Sequence, residues 1–218
     1  MSELLGTAPM AGLRAAKAAE LCTDLPLGAA ARAWIDRGEP TPAAAIGALH
    51  RAGFHGEAVL VLAHALSEAD AIWWGLVCSL AAHDARPDPD HCEVLDLLGD
   101  WTLSASPELE AEVRAVAERL ELAPPAAWVA VAVSLARAPD EARASAHRLA
   151  VSYAIAAAVQ LAAGVGPDAD ATNNVLAFLE KGFDIARGGD GGVDRLSPPM
   201  FPGQRRVPRP ARPWLDSE

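Results

Sequence analysis

The spacing of apolar residues is the strongest signal in this chain, because they recur every three or four positions after capping residues that often precede a proline. Ser67 shows the pattern best, since Asp70 follows in a capping-box arrangement ahead of Ile72 and Leu76. Four predicted helices are recognised by their starts, at Thr41-Pro42, after Ser67, at Asp88-Pro89 and at Ser106-Pro107. Four more are predicted over Gly56 to Leu66, Trp128 to Leu135, Ala142 to Ala163 and Val175 to Ala186. No strand-like alternation competes with them, and short loops favour antiparallel neighbours. We therefore predict an all-α fold, either an antiparallel multi-helix bundle or a short stack of helical hairpins.

The end of the chain departs from this pattern. From Arg195 onward it holds five arginines and two acids, a side-chain sum of +3, whereas the whole chain sums to −11. Prolines are frequent there, and they favour an extended polyproline-like path over a helix. We predict a helical domain over residues 1–190 and a disordered, flexible Pro/Arg-rich tail over residues 191–218. The glycine-rich run at 188–192 is predicted to be the hinge between them.

Composition narrows the functional classes. The acidic body repels phosphates, so we expect no nucleic-acid partner, although an exposed arginine-rich tail could contact anions. Cys22, Cys78 and Cys92 lack metal-site spacing and are predicted to be reduced, mostly buried thiols. The first residues lack the features of a signal peptide, and the apolar run 151–165 is shorter than the roughly 20 residues that span a bilayer. We expect a cytoplasmic protein without membrane insertion, in which that run is a buried helix.

Adjacent tryptophans, Trp73 and Trp74, stand out because helix neighbours point about 100° apart and cannot share one narrow seam. One interpretation is that one ring anchors the core while the other reaches a groove or a partner, as aromatic hot-spot residues do. The alternative is that both rings pack between separate neighbouring helices. In either case the helix that carries them is expected to be central.

Several short motifs occur in one order along the chain: Glu57-Ala58, Trp73-Trp74, Trp101, residues 125–128 (Pro-Ala-Ala-Trp) and residues 178–188 (Phe-Leu-Glu-Lys-Gly-Phe-Asp-Ile-Ala-Arg-Gly). Over roughly residues 40 to 190 this order resembles a bacterial all-helical family of unknown function. That family has an Ala-hydrophobic-Trp-Trp helix and a C-terminal phrase close to Leu-Asp-Ile-Ala-Arg-Gly. The chain departs from it between Ser134 and Ala146, where a glycine-, serine- and proline-rich connector is expected. The resemblance implies no established reaction; it implies accessory proteins, some linked to type VI secretion gene sets.

The densest set of ligand-type side chains lies between residues 83 and 93. It comprises His83, Asp84, Asp88, Asp90, His91, Cys92 and Glu93. Such N, S and O donors suit a divalent metal, but helix capping, a helix C-terminus and apolar filling explain the same residues. We predict no metal and no cofactor here. The acids at 168 and 170 start a calcium-loop pattern that fails at positions six and twelve, and His50, His55 and His64 share a site only if the fold brings them together.

The tail combines extended backbone with arginine forks and two aromatic rings, which suits docking into a groove of another protein. The candidate partner-binding residues are Trp73, Trp74, Phe201, Arg205, Arg206, Arg209, Arg212 and Trp214. There are two alternatives: the terminus is unstructured, or the tail folds back on the acidic body. The sequence thus favours a non-enzymatic adaptor, scaffold or accessory protein that binds protein partners. The two other hypotheses are a small metal-dependent or hydrolytic enzyme centred on residues 83–93 and a structural subunit that forms homo-oligomers.

Overall fold

The computed structural model describes residues 12–15, 17–37, 41–104, 106–136 and 144–193. Ten helices lie in this part of the chain: α1 (Ala18–Leu21), α2 (Ala29–Asp36), α3 (Pro42–Arg51), α4 (His55–Ala65), α5 (Glu68–Ala85), α6 (Pro89–Ser104), α7 (Pro107–Arg119), α8 (Pro125–Ala136), α9 (Ala144–Val165) and α10 (Ala171–Ala186). Neighbours in sequence pack on one another, with α3 against α4, α6 against α7, α7 against α8 and α8 against α9. The fold is an all-α helical bundle, as predicted.

Side-chain caps fix the starts of several helices. Thr41, Ser67 and Ser106 each accept a hydrogen bond from the backbone N–H three residues on, at 3.1–3.2 Å. Asp170 caps α10 by accepting from the N–H of Thr172 at 2.8 Å. The last helix therefore begins at Ala171, four residues before the predicted start at Val175, and Asp170 serves as its N-cap.

Helices α1 and α2 were not predicted, because local signals for them are weak. Gly28 precedes α2 and offers no capping side chain. Instead Arg32 reaches back and donates to the carbonyl oxygens of Cys22 and Leu25, both at 2.7 Å. These contacts are tertiary, and the spacing of apolar residues does not reveal them.

Helix α9 lies at the centre of the bundle and packs against α4, α5, α8 and α10. It is 22 residues long and extends beyond the apolar run 151–165 that stands out in the sequence. The stretch Ala146–Val165 is 20 residues long with a mean hydropathy of 1.5, which is long and apolar enough to cross a membrane. Half of it is buried inside the fold, as in the core helix of a bundle. The packing thus supports the expectation of a buried helix.

Residues 12–15 lie across the ends of two helices. The N–H of Gly12 donates to the carbonyl oxygen of Ala186 at 3.0 Å, and the N–H of Arg14 donates to that of Ala65 at 2.9 Å. Leu13 forms an isolated antiparallel bridge with Leu66. Residues 12–15, here called the strap, join the C-terminal ends of α4 and α10.

Candidate functional site

Both members of the tryptophan pair are buried, Trp73 at 2% exposure and Trp74 at 0%. The indole Nε1 of Trp73 donates to the carbonyl oxygen of Asp190 at 3.1 Å, and that of Trp74 donates to the carbonyl oxygen of Phe178 at 2.7 Å. The rings therefore have different neighbours, as their angular separation on α5 requires. This corrects the expectation that one ring reaches a groove, because both are enclosed. The alternative, packing between neighbouring helices, describes them.

The tryptophan helix and residues 178–188 lie against each other. Gly182 faces α4 and α5 so closely that an added Cβ would lie 2.7 Å from Leu62 Cδ2 and 3.0 Å from Trp74 Cε2. Asp184, two residues on, accepts a hydrogen bond from the N–H of Gly191 at 2.9 Å. The two most distinctive sequence motifs of the chain thus form one internal seam between α5 and α10, and their role there is structural.

The glycine-rich run at 188–192 is tied to the bundle. Gly188 has a φ of +94° and ends α10, as its sequence position suggested. The carbonyl oxygen of Gly191 accepts from Nζ of Lys181 at 3.0 Å, and Trp73 binds the backbone at Asp190. These contacts correct the prediction of a hinge at 188–192. The boundary predicted between residues 190 and 191 falls inside this turn.

The 83–93 cluster borders a cavity of about 400 Å³ between the end of α5, the start of α6 and the α7–α8 loop. Within the cluster, Cys92 Sγ lies 3.7 Å from His83 Nε2, and the backbone nitrogen of Asp88 lies 3.5 Å from His83 Nδ1. His91 Nε2 lies 3.5 Å from Asp88 Oδ2. Among the side chains that the structure describes, no three metal-ligating groups converge.

Cys92 is the candidate nucleophile of this cluster, since it neighbours a histidine. Burial raises the pKa of its thiol, and the carboxylates of Asp96 and Asp88 raise it further. A thiol held in its protonated form is a weak nucleophile. Burial likewise raises the pKa of Cys22 to about 11, and that of Cys78 rises for the same reason. All three cysteines are free thiols, as predicted, and Cys92 is the partly exposed one.

The three histidines of the 50–64 region do not form one site. The Nδ1 atoms of His50 and His55 lie 3.0 Å apart, with ring centroids separated by 4.6 Å. His64 instead faces α9, where its Nδ1 lies 3.1 Å from Ser152 Oγ.

A surface feature suited to binding is an apolar groove of about 660 Å³ along one side of α9, here called the α9 groove. Tyr153 and Leu161 both line it and are 42% and 41% exposed, the most exposed large apolar side chains among the described residues. Its lining is Pro26, Leu27, Gly28, Gly56, Glu57, Leu60, Trp128, Tyr153, Ala156, Ala157, Gln160 and Leu161. The lining thus combines exposed apolar side chains with small alanines.

Helix geometry explains how the α9 groove arises. Residues 153, 157, 160 and 161 lie on one side of a helix, and eight residues span about 12 Å. The other sides of α9 pack on α4, α5, α8 and α10, and no helix of the described residues covers this side. Sequence reasoning missed it because α9 carries apolar residues all round. Gln160 was the available signal, since it is the one strongly polar residue between Tyr153 and Val165 and it marks the uncovered side.

The six candidate residues of the tail, Phe201, Arg205, Arg206, Arg209, Arg212 and Trp214, lie outside the described residues. Docking of a partner through them stays a prediction.

Comparison with known families gives one result. A family of unknown function, DUF6931, has a model that matches residues 45–186. The chain belongs to this family. The match extends from α3 to the end of α10, so it includes the α5–α10 seam and most of the α9 groove. No curated protein and no solved structure matches the chain significantly.

Proposed function

We propose that this DUF6931 protein is a non-enzymatic adaptor or accessory protein that binds an amphipathic helix of a protein partner in the α9 groove. The observation that carries the proposal is the pair of exposed apolar side chains, Tyr153 and Leu161, that line a groove together with Ala156 and Ala157. Contiguous exposed apolar surface of this kind marks interaction sites in soluble proteins.

The shape of the α9 groove favours a helix as its occupant. Ala156 and Ala157 have small side chains that let another backbone approach closely, and Leu60 and Trp128 also line the groove. An amphipathic helix fills such a groove with apolar residues at positions i, i+3 or i+4, and i+7. Two turns of helix match the 12 Å between Tyr153 and Leu161.

Charge favours a basic partner. Glu57 is the charged residue among the described residues that line the groove, and the whole chain carries −11. Lysine or arginine beside the apolar stripe of the incoming helix would be attracted by this negative charge. Such attraction accelerates association and disfavours acidic helices. The proposed occupant is therefore a basic amphipathic helix of another protein.

The cellular setting is proposed from the family resemblance. We place the protein in the bacterial cytoplasm, in a protein–protein assembly, with type VI secretion as the candidate setting. The Pro/Arg-rich tail is proposed as a second contact, a tether whose aromatic anchors are Phe201 and Trp214. A deletion that tests the tether should end the chain after Val193, because Gly191 is bonded to the bundle.

The enzyme hypothesis has less support. Its centre would be the cavity beside His83. The raised pKa of the neighbouring Cys92 thiol disfavours the nucleophilic thiolate, and no three metal-ligating groups converge among the described side chains. The self-assembling subunit is the closer competitor, since a second copy could also cover the α9 groove.

The test is a selection of displayed peptides on the full-length protein, with the variant Leu161→Glu as counter-selection. We expect helix-forming peptides with apolar residues at i, i+3 or i+4 and i+7 flanked by Lys or Arg. Their Kd should weaken at least tenfold in Leu161→Glu, because burying a leucine is worth about 1.5–3 kcal/mol and a tenfold change needs about 1.4. The matched control is Ala115→Glu, which adds the same charge on an exposed position of α7.

Two results would contradict the proposal. Peptides that bind both Glu variants as well as the wild type would show that the groove is not the site. A homodimer that dissociates in Leu161→Glu but not in Ala115→Glu would identify a second copy as the occupant and favour the structural subunit.

A further inference from the structure

His50 and His55 face each other at the corner between α3 and α4, outside the lining of the α9 groove. His50 lies in the last turn of α3, and His55 is the first residue of α4. Their Nδ1 atoms lie 3.0 Å apart, and their ring centroids lie 4.6 Å apart. Both residues are partly exposed, as the entry of an ion from solvent requires.

The backbone between the two histidines holds them in this position. The N–H of Gly53 donates to the carbonyl oxygen of His50 at 3.0 Å, and the N–H of Phe54 donates to that of Leu49 at 2.9 Å. These are the two hydrogen bonds of a Schellman motif, and the φ of +86° at Gly53 is the left-handed conformation that the motif needs. The turn therefore sets His55 beside His50 and pre-organises the pair.

The two separations match those of a pair of imidazoles on one metal ion. Nitrogen ligands bind such ions at about 2.0–2.1 Å, so two ligands that are about 90° apart lie about 2.9 Å from each other. The centroids of rings aimed at that ion are then about 4.5 Å apart, because each lies about 1.1–1.2 Å behind its nitrogen. A tetrahedral ion would require about 3.3 Å and about 5.2 Å. The observed 3.0 Å and 4.6 Å fit the arrangement at about 90°.

The inclination of the rings agrees with this geometry. A straight Nδ1–H···Nδ1 hydrogen bond at the observed distance would place the centroids about 5.3 Å apart. The shorter separation of 4.6 Å shows that the rings are inclined to the line between the nitrogens, as convergence on one ion requires.

The geometry points to a metal site in which His50 and His55 bind one divalent transition-metal ion through their Nδ1 atoms. Imidazole ligands about 90° apart are typical of Ni²⁺ and Cu²⁺, and Cu²⁺ binds more tightly than Ni²⁺. Among the described side chains no third ligating group joins the pair, so water fills the other coordination positions. A bound ion links the end of α3 to the start of α4. The assignment is independent of the proposed function and of the 83–93 cluster.

The protons of the two rings are compatible with this binding mode. Without an ion, one Nδ1 carries a proton and donates it to the other. When the ion binds, the donor ring carries its proton on Nε2 instead, so each neutral ring keeps one proton and both Nδ1 lone pairs face the ion. Burial lowers the pKa of His50, and the nearby His55 and Arg51 lower it further, which favours the neutral ring that metal binding needs.

The experiment is isothermal titration calorimetry of the full-length protein, without a histidine tag, with Ni²⁺ at neutral pH. The variants His50→Gln and His55→Gln each remove one ligand. The control is His91→Gln, which removes a partly exposed histidine of α6 beside Asp88. We expect one equivalent of Ni²⁺ to bind the wild type and the control. The Kd should rise about tenfold or more in each of the two variants, because a single imidazole remains.

A second measurement on the wild type keeps the proposal testable if a variant fails to fold. One equivalent of Cu²⁺ should give an electron paramagnetic resonance spectrum with coupling to two imidazole nitrogens, and Cu²⁺ should displace Ni²⁺. Coupling to fewer nitrogens would overturn the site. Ni²⁺ binding that both variants retain would reveal an adventitious ion only and would overturn it too. The same holds for a wild type without saturable binding up to about 1 mM Ni²⁺.

Discussion

Gly182 offers the sharpest test of the α5–α10 seam, because replacing it with alanine pushes one methyl group into closed space. The new Cβ would lie 2.7 Å from Leu62 Cδ2 and 3.0 Å from Trp74 Cε2, closer than carbon atoms pack. Overpacking of this kind costs about 1–3 kcal/mol. The intrinsic helix preference of alanine over glycine returns about 1 kcal/mol. The net expectation for Gly182→Ala is a loss of up to about 2 kcal/mol.

Gly164 is the matched control for this substitution. It lies in the last turn of α9, and an added Cβ would meet nothing within 4 Å. Gly164→Ala should therefore gain up to about 1 kcal/mol from helix preference alone. The difference between the two variants isolates the packing term, which should be about 1–3 kcal/mol.

Urea denaturation followed by far-UV circular dichroism measures both variants against the wild type. Equal slopes in the linear extrapolation would show that the unfolded states are comparable. If Gly182→Ala is as stabilising as Gly164→Ala, the close approach at the seam is wrong, and Gly182 has no packing role.

Three further predictions address other parts of the bundle. Ser67→Ala should lower the free energy of unfolding by about 1 kcal/mol in urea denaturation, because the Asp70 N–H loses its acceptor, the Ser67 hydroxyl; an unchanged stability would mean that the cap is dispensable. Trp74→Phe should lower the free energy of unfolding by about 2 kcal/mol in the same assay, because the hydrogen bond to the Phe178 carbonyl oxygen is lost and a cavity remains. An unchanged stability would contradict the packing of Trp74 described above. Because the pKa of His64 is lowered to about 4, the unfolded chain takes up its proton first as pH falls below about 6.5, so stability declines towards acid pH. Between pH 7.5 and 5.5 the wild type should lose about 1 kcal/mol more than His64→Gln, and parallel pH curves would refute this.

Local signals predicted the helices well where a side chain itself starts the helix. Thr41, Ser67 and Ser106 stand in the sequence as caps and serve as caps in the structure. Helix α2 lacks such a signal and depends on Arg32, which reaches carbonyl groups seven and ten residues earlier. A contact of that kind exists only after the chain has folded.

The tryptophan pair shows what residue type alone leaves open. Two adjacent tryptophans fit both a core and a binding surface, and the choice depends on which helices cover α5. Gly182 and the backbone at Asp190 decide it, because they bring α10 and the glycine-rich turn over both rings. The same turn explains why the glycine run is not a hinge.

The α9 groove was missed for the opposite reason. An alanine-rich helix with Tyr153 and Leu161 has the composition of a core helix, and half of it is indeed buried. Its uncovered side follows from the placement of the four surrounding helices, which apolar spacing does not give. The 83–93 cluster, by contrast, was evident from composition, and among its described side chains Cys92 lies near His83 and His91 lies near Asp88.

The central claim is that the α9 groove holds a basic helix of a partner protein. The most direct measurement is photo-crosslinking in the native host, with a photoreactive amino acid at Leu161 and, as control, at Ala115, followed by mass spectrometry of the linked peptides. The account predicts links from position 161 to one helical segment with an apolar stripe and flanking Lys or Arg, and none of these links from position 115. Links from both positions to the same proteins, or links from position 161 only to a second copy of this chain, would contradict it.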